Sequence, residues 1–242
     1  MVDPKNYLKD KAPKQAAVKL RVELLKILEI GEVEMLYRSK YSMYLEWLDP
    51  RITFHNLHEN QNLNSLVEEE KNTIWTPSFI FHNTDKSTRT TTDRESSISV
   101  RRVGNFTQNT VESIDNIYAF QGADNPLIMF RIYETEWICD YQMNWYPFDT
   151  QKCQMVFSVT KDLDKFIKIA VDGHAYLGPV ELTQYFVRGT EMNFRFLGDG
   201  EQQAIILEVT LGRRLLGNML TIFLPTFLLN IIGHSTNYFK VG

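Results

Sequence analysis

The sequence predicts a mainly β chain: an immunoglobulin-like β-sandwich of about ten strands with a short N-terminal helix, followed by one transmembrane α-helix. Three observations carry this prediction. Short apolar stretches, several alternating with polar residues, recur between clusters of turn residues, which is the pattern of half-buried strands in a sandwich. A single uncharged run, Leu215 to Gly233, closes the chain. Two cysteines, Cys139 and Cys153, are all the chain has. They fit one bridge in an oxidising compartment, or else two unpaired core thiols.

The elements follow in order. The polar stretch Asp3 to Gln15 is expected to form a short helix ending near Pro13. Val18, Leu20, Val22 and Leu24 alternate with Lys19, Arg21 and Glu23, so this segment reads as a strand with one face inward. Gly31, among Glu29, Glu32 and Glu34, marks a turn, and Tyr41 to Trp47 is a second strand stopped by Asp49-Pro50. Asn56 to Asn64 is a polar loop. Ile74 to Phe81 contains Pro77 and is therefore an edge or irregular segment. Glu68-Glu69-Glu70 reads as a solvated face, and Thr84 to Thr92 as a loop.

Ser97 to Val103, Thr110 to Ile114 and Leu127 to Cys139 are further strands, the last entered through the turn Gly122-Ala123-Asp124-Asn125-Pro126. Cys153 to Val159, Phe166 to Val171, Leu182 to Val187 and Ala204 to Leu211 complete the set, with a loop at Gly198-Asp199-Gly200. From Leu215 to Gly233 no residue is charged. As a helix, such a run is about 28 Å long, close to the hydrocarbon thickness of a bilayer. Asn218, Thr221, Pro225, Thr226 and Asn230 make it polar for a lone span and suit a helix packed against other membrane helices. The alternative is a buried core helix.

Composition excludes several functions. A net charge of −4 without a basic run gives nucleic acid nothing to bind. His55 and His58 lack a third ligand, so neither metal nor other cofactor is expected. No nucleophile, base and orienting group form a recognisable motif, so the chain does not read as an enzyme. Asn105-Phe106-Thr107 is the one N-glycosylation sequon, and no apolar leader follows Met1.

Between the cysteines lies Tyr146-Pro147-Phe148-Asp149, placed six residues after Cys139 and three before Cys153. This spacing and interior resemble the signature loop of the Cys-loop receptors, the pentameric ligand-gated ion channels. Further segments extend the resemblance in order along the chain. Trp47-Leu48-Asp49-Pro50-Arg51 resembles the Trp-x-Asp-x-Arg of the family's second strand, and Trp75-Thr76-Pro77 its loop A. Arg213, twelve residues before Pro225, resembles the arginine preceding the first membrane helix.

The resemblance implies that Cys139 and Cys153 are bonded. It implies an extracellular ligand-binding sandwich over residues 1–212, a first transmembrane helix over 213–235, and over 236–242 the start of an intracellular linker to a second helix. It also implies a plasma-membrane channel of five identical or related subunits, in contact with membrane lipid and opened by a small molecule bound between subunits. Position by position, Phe81, His82, Thr160, Phe194 and Phe196 are expected on one wall of that pocket. Tyr41, Ser42, Tyr44, Phe130 and Ile132 are expected on the other. Thr160 and Ser42 replace aromatic positions of the acetylcholine cage, and Tyr44 stands where glycine and GABA receptors place an arginine. The ligand is therefore expected to be of neither type. Glu32, Tyr146, Pro147, Phe148, Asp149 and Arg213 are expected to couple the sandwich to the membrane, with Asp149 and Arg213 as an ion pair. The competing readings are a soluble pentameric binding protein of the same fold and an unrelated secreted β-sandwich binding module.

Overall fold

A computed structural model describes residues 16–84, 91–92, 96–105, 107–108, 118–159, 167–197 and 202–236. The expected N-terminal helix and the strand Thr110 to Ile114 lie outside these residues, as does Thr160. In chain order the strands are β1 (Ala16–Gly31), β2 (Leu36–Trp47), β3 (Thr53–His55), β4 (Phe79–Phe81), β5 (Thr91–Thr92), β6 (Ser97–Val100) and β7 (Thr107–Gln108). They continue as β8 (Tyr118–Gln121), β9 (Leu127–Ile138), β10 (Thr150–Val159), β11 (Ile167–Tyr176), β12 (Tyr185–Leu197) and β13 (Gln202–Arg213). A first sheet runs β11-β1-β2-β9-β5, with β6 also on β9. A second runs β12-β13-β10-β4, and β3-β8-β7 form a small third.

The core lies where inward residues of the two large sheets meet. On β1 the inward set is Val18, Leu20, Val22 and Leu24, then Ile27 after a register shift between Leu24 and Lys26. An extra residue at such a bulge moves the inward face by one position. Trp47 meets Trp75 edge to face at 6.2 Å. Tyr41, Phe81, Tyr133 and Trp137 form a second aromatic group, with centroid distances between 5.5 and 6.4 Å. Behind Trp47, the Asp49 carboxylate takes two hydrogen bonds from the Arg51 guanidinium, 2.8 and 2.7 Å long. Gly122 passes so close to the backbone oxygens of Asp49 and Ile52 that a Cβ there would clash, which requires glycine in this turn.

Several sequence expectations change in extent. β1 continues to Gly31 and β2 starts at Leu36. The strands expected over Leu182 to Val187 and Ala204 to Leu211 are longer in the structure: β12 runs to Leu197 and β13 starts at Gln202, and the two pair antiparallel. The acidic stretch at Glu68 opens a one-turn helix, α1 (Glu68–Thr73), which is solvent-facing and has no buried residue. Such a turn carries no apolar period to reveal it.

After Arg213 the chain enters α2 (Leu215–Thr236), a helix long and apolar enough to cross a membrane. The sandwich does not cover it: Leu216, Phe227 and Leu229 are all more than 60 % exposed. An apolar helix with no protein over it belongs in lipid or against further helices, which argues against the core-helix alternative. Met219–Phe223 forms a π-helical turn just before Pro225. Proline lacks an N–H and crowds the preceding turn, and local widening relieves this. The hydroxyls of Thr221 and Thr226 donate to the Gly217 and Ile222 carbonyls at 2.8 and 2.6 Å.

Candidate functional site

Two features stand out, one at the helix end of the sandwich and one on the outer face of the first sheet. At the helix end, Cys139 and Cys153 are bonded, with Cα atoms 5.1 Å apart. β9 delivers one sulfur and β10 the other, so the segment between them is a closed loop at the end of both strands. The loop also holds the β1–β2 turn. Cys139 N donates to Met35 O at 2.8 Å, and the Tyr141 hydroxyl to Leu36 O at 3.1 Å.

Arg213, the last residue of β13, enters the centre of this end. Its Nε and Nη2 grip the two oxygens of Asp149 at 2.6 and 2.9 Å, a bidentate pair. Its Nη1 reaches Glu32 Oε1 at 2.7 Å, across from the β1–β2 turn. The Tyr185 hydroxyl accepts from Arg213 Nη2 at 2.5 Å and donates to Glu32 at 2.6 Å. Gln151 donates to Asp149 at 2.5 Å, and its amide oxygen and nitrogen bond the Gln142 backbone at 2.8 and 2.9 Å. The side chains of Arg213 and Asp149 are only 3 % and 2 % exposed, so the pair is buried rather than at a wet surface.

The guanidinium also lies between two rings, 4.8 Å from the centroid of Tyr146 and 4.7 Å from that of Tyr185. The Tyr146–Pro147 bond is cis. The Tyr146 ring then stacks on Phe223 of α2, with centroids 6.5 Å apart. The cluster is thus continuous from the β1–β2 turn through the end of β13 and the bonded loop to the helix. Phe148, Trp145 and Val33 point outward around it, at 66, 79 and 91 % exposure.

Burial alone would raise the Asp149 pKa, but hydrogen bonds from Arg213 and Gln151 outweigh it and hold the carboxyl below its ordinary value. Desolvation opposes the charge on Arg213, and the bonds to Asp149 and Glu32 overcome it, so the guanidinium stays charged. A carboxyl depressed on folding stabilises the fold above its unfolded pKa, and that stability is lost as pH falls through the folded value. Unfolding midpoints are therefore expected to be flat in this contribution above about pH 4 and to fall below it. Asp149→Asn should flatten the acid limb. An acid limb unchanged in the variant would show that the carboxyl plays no part in it.

On the outer face, Tyr44 of β2 stands opposite Phe130 of β9, with ring centroids 4.7 Å apart. Ser42 pairs with Ile132 one step along the same face, but both are buried. The two rings line a cavity of about 550 Å³ bounded by β1, β2, β6 and β9. Charged residues missed by the sequence reading surround it. Arg21 pairs with Glu23 at 2.7 Å, while Arg101 and Lys19 share Glu46 at 2.7 and 3.1 Å. Asp172 of β11 adds a further carboxylate. Alternation along β1 already put Lys19, Arg21 and Glu23 on one outward face, which was the available signal.

Tyr41 does not join this strip. Neighbours on a strand point to opposite faces, and Tyr41 is fully buried in the core, its hydroxyl 3.2 Å from that of Thr135. Its ring meets Phe81 at 6.4 Å inside the same subunit, although the two residues were assigned to opposite walls. His82 faces Ser158, with Nε2 and Oγ 2.7 Å apart, and desolvation lowers its pKa. Phe194 and Phe196 are 45 and 64 % exposed on β12. β12 and β4 are opposite edges of the second sheet, three strand spacings or about 14 Å apart. Asn105 is exposed.

Residues 4–117 match the family described as the neurotransmitter-gated ion-channel ligand binding domain, a family of channel domains and not of enzymes. β9 to β13, the bonded cysteines and α2 follow the matched stretch. No curated protein matched the chain.

Proposed function

We propose that the chain carries a Cys-loop receptor ligand-binding domain, the family that residues 4–117 match, and that it is one subunit of a pentameric ligand-gated ion channel. Ligand bound between subunits shifts a closed–open equilibrium, and the Arg213 cluster transmits the shift to α2. The observation that carries this reading is the continuity of that cluster. Arg213 bonds Glu32 of the β1–β2 turn and Asp149 of the bonded loop, while Tyr146 touches both Arg213 and Phe223 of the helix. Tyr146, Pro147, Phe148, Asp149, Glu32 and Arg213 are the proposed coupling residues. Residues 1–212 lie outside the plasma membrane, 213–235 cross it, and 236–242 begin the link to a second helix. Asn105 is the proposed glycan site.

The ligand site is shared between copies. Ser42, Tyr44, Phe130 and Ile132 belong to the first sheet, and Phe81, His82, Phe194 and Phe196 to the second. A neighbouring copy brings His82, Phe194 and Phe196, with Thr160, against the outer-face cavity, while Phe81 backs that wall from the core beside Tyr41, Tyr133 and Trp137. In a ring every subunit offers one wall to each neighbour, a heterologous contact that closes. Thr160 and Ser42 leave too few rings for a quaternary ammonium. The two arginines of the cavity are already held by Glu23 and Glu46. Three cations and three carboxylates balance around Tyr44 and Phe130, which favours a polar ligand without net charge over acetylcholine, and with both arginines already paired no free guanidinium is left for the carboxylate of glycine or GABA. The uncovered α2 speaks against a soluble binding protein.

The assembly is tested by the native mass of the full chain in a mild detergent. Five copies per particle are expected at micromolar concentration. A monomer or dimer under those conditions would contradict the proposal.

A further inference from the structure

The tip of the bonded loop carries apolar side chains that the sandwich leaves uncovered. From Tyr141 to Phe148 no residue is charged. Phe148 N donates to Trp145 O at 2.6 Å, and Tyr146 N to Met143 O at 3.0 Å, so the tip is a closed turn. Trp145 and Phe148 stand at the two ends of that turn, and both are mostly exposed. The other three tryptophans, Trp47, Trp75 and Trp137, are buried in the core.

α2 sets the level at which this tip lies. Between the two exposed residues, the Tyr146 ring stacks on Phe223 with centroids 6.5 Å apart. Phe223 is about 12 Å along the helix axis from Leu215. The 22 residues of α2 make a helix about 33 Å long, close to the ~30 Å hydrocarbon layer of a bilayer. With α2 across a bilayer, Leu215 lies near the hydrocarbon edge, and Tyr146 meets the helix on the membrane side of that edge. Trp145 and Phe148, flanking Tyr146 within one turn, are carried to the same level. A tryptophan there finds apolar contact for its ring and acceptors for its indole N–H among lipid carbonyls and phosphates. Asp149, the carboxylate next to the tip, is already held by Arg213, so entry strips no unpaired charge of water.

We propose that Trp145 and Phe148 form a lipid-docking surface, seated among the headgroups and upper acyl chains of the leaflet on the sandwich side. This docking rests on α2 crossing the membrane. It gives the bonded loop a second hold on the bilayer, beside the Tyr146–Phe223 contact, so the lipid surface bears directly on the loop that carries Asp149.

The test is tryptophan fluorescence of the full chain in phosphatidylcholine vesicles, isolated by flotation. The acyl chains carry bromine near the headgroup, bromine near the bilayer centre, or none. The Trp145 emission is the difference between the parent and Trp145→Phe, a variant that keeps the three core tryptophans and, at an exposed position, the fold. Shallow bromine is expected to quench that emission at least two-fold, and deep bromine less. Emission untouched by bromine but quenched by iodide in the buffer would place Trp145 in water. Emission untouched by both would place it under a protein segment. A stronger response to deep bromine would place it in the bilayer interior. Each of these results overturns the proposal while leaving α2 in the membrane. A chain that does not float with the vesicles overturns the membrane reading of α2 as well, so the two failures are distinguished.

Discussion

Replacing Arg213 by alanine is expected to destabilise the sandwich by about 3–5 kcal/mol, the range for removing one partner of a buried ion pair. The pair is buried, and Arg213 is the only cation placed between Asp149 and Glu32 among the described residues. Its loss leaves two carboxylates facing one another without compensation. The Tyr146 and Tyr185 rings also lose the guanidinium between them. Against a typical net stability of about 5–15 kcal/mol this is a large fraction. Arg213→Lys keeps the charge but cannot grip both Asp149 oxygens and Glu32 with one planar fork, so it should fall between. Denaturant unfolding of the parent and the two variants measures both losses. A loss below about 1 kcal/mol, the range of a surface pair, would mean that the cluster is not held by its charges. In a channel containing this subunit, the same replacement is proposed to impair opening, since a shift of 1.4 kcal/mol already changes an equilibrium ten-fold.

Removing the bond between Cys139 and Cys153 is the second large effect. The bridge closes a loop of about fifteen residues, and its loss from a native domain costs about 2–5 kcal/mol. Here the loop is also the platform for Asp149 and Tyr146. The paired change of Cys139→Ser and Cys153→Ser should therefore lower stability and loosen the hold on α2. Unfolding of the paired variant, compared with the parent under non-reducing conditions, reads the first effect. Limited proteolysis at the helix junction after Arg213 reads the second. Equal stability and equal protection would show that neighbouring strands hold the loop without the bridge.

The sandwich itself was legible because its strands alternate. Val18 to Leu24 announced β1, and the uncharged run announced α2. The far end of β1 was not legible, since bulges after Leu24 and Ile27 break the period that reveals a strand. The part of β12 beyond Val187 was not legible because both of its faces are exposed there, leaving no apolar face to recognise. The candidate ligand residues show the same physics. Tyr41 and Ser42 are neighbours and cannot share a face, so one of them had to point into the core. The Asp149–Arg213 pair came from resemblance, because 64 residues separate its members. Tyr185 and Gln151 complete that cluster through contacts that no local pattern encodes.

At the centre of this account, one buried ion pair ties the bonded loop to the strand that leads into the membrane helix. A double-mutant cycle on the full chain, with Arg213→Ala, Asp149→Ala and both changes together, tests it most directly. A direct, desolvated contact predicts a coupling free energy of about 1–3 kcal/mol, so that the double variant loses much less than the sum of the single losses. Single effects that add to within about 0.3 kcal/mol would contradict it, showing that the two residues act independently.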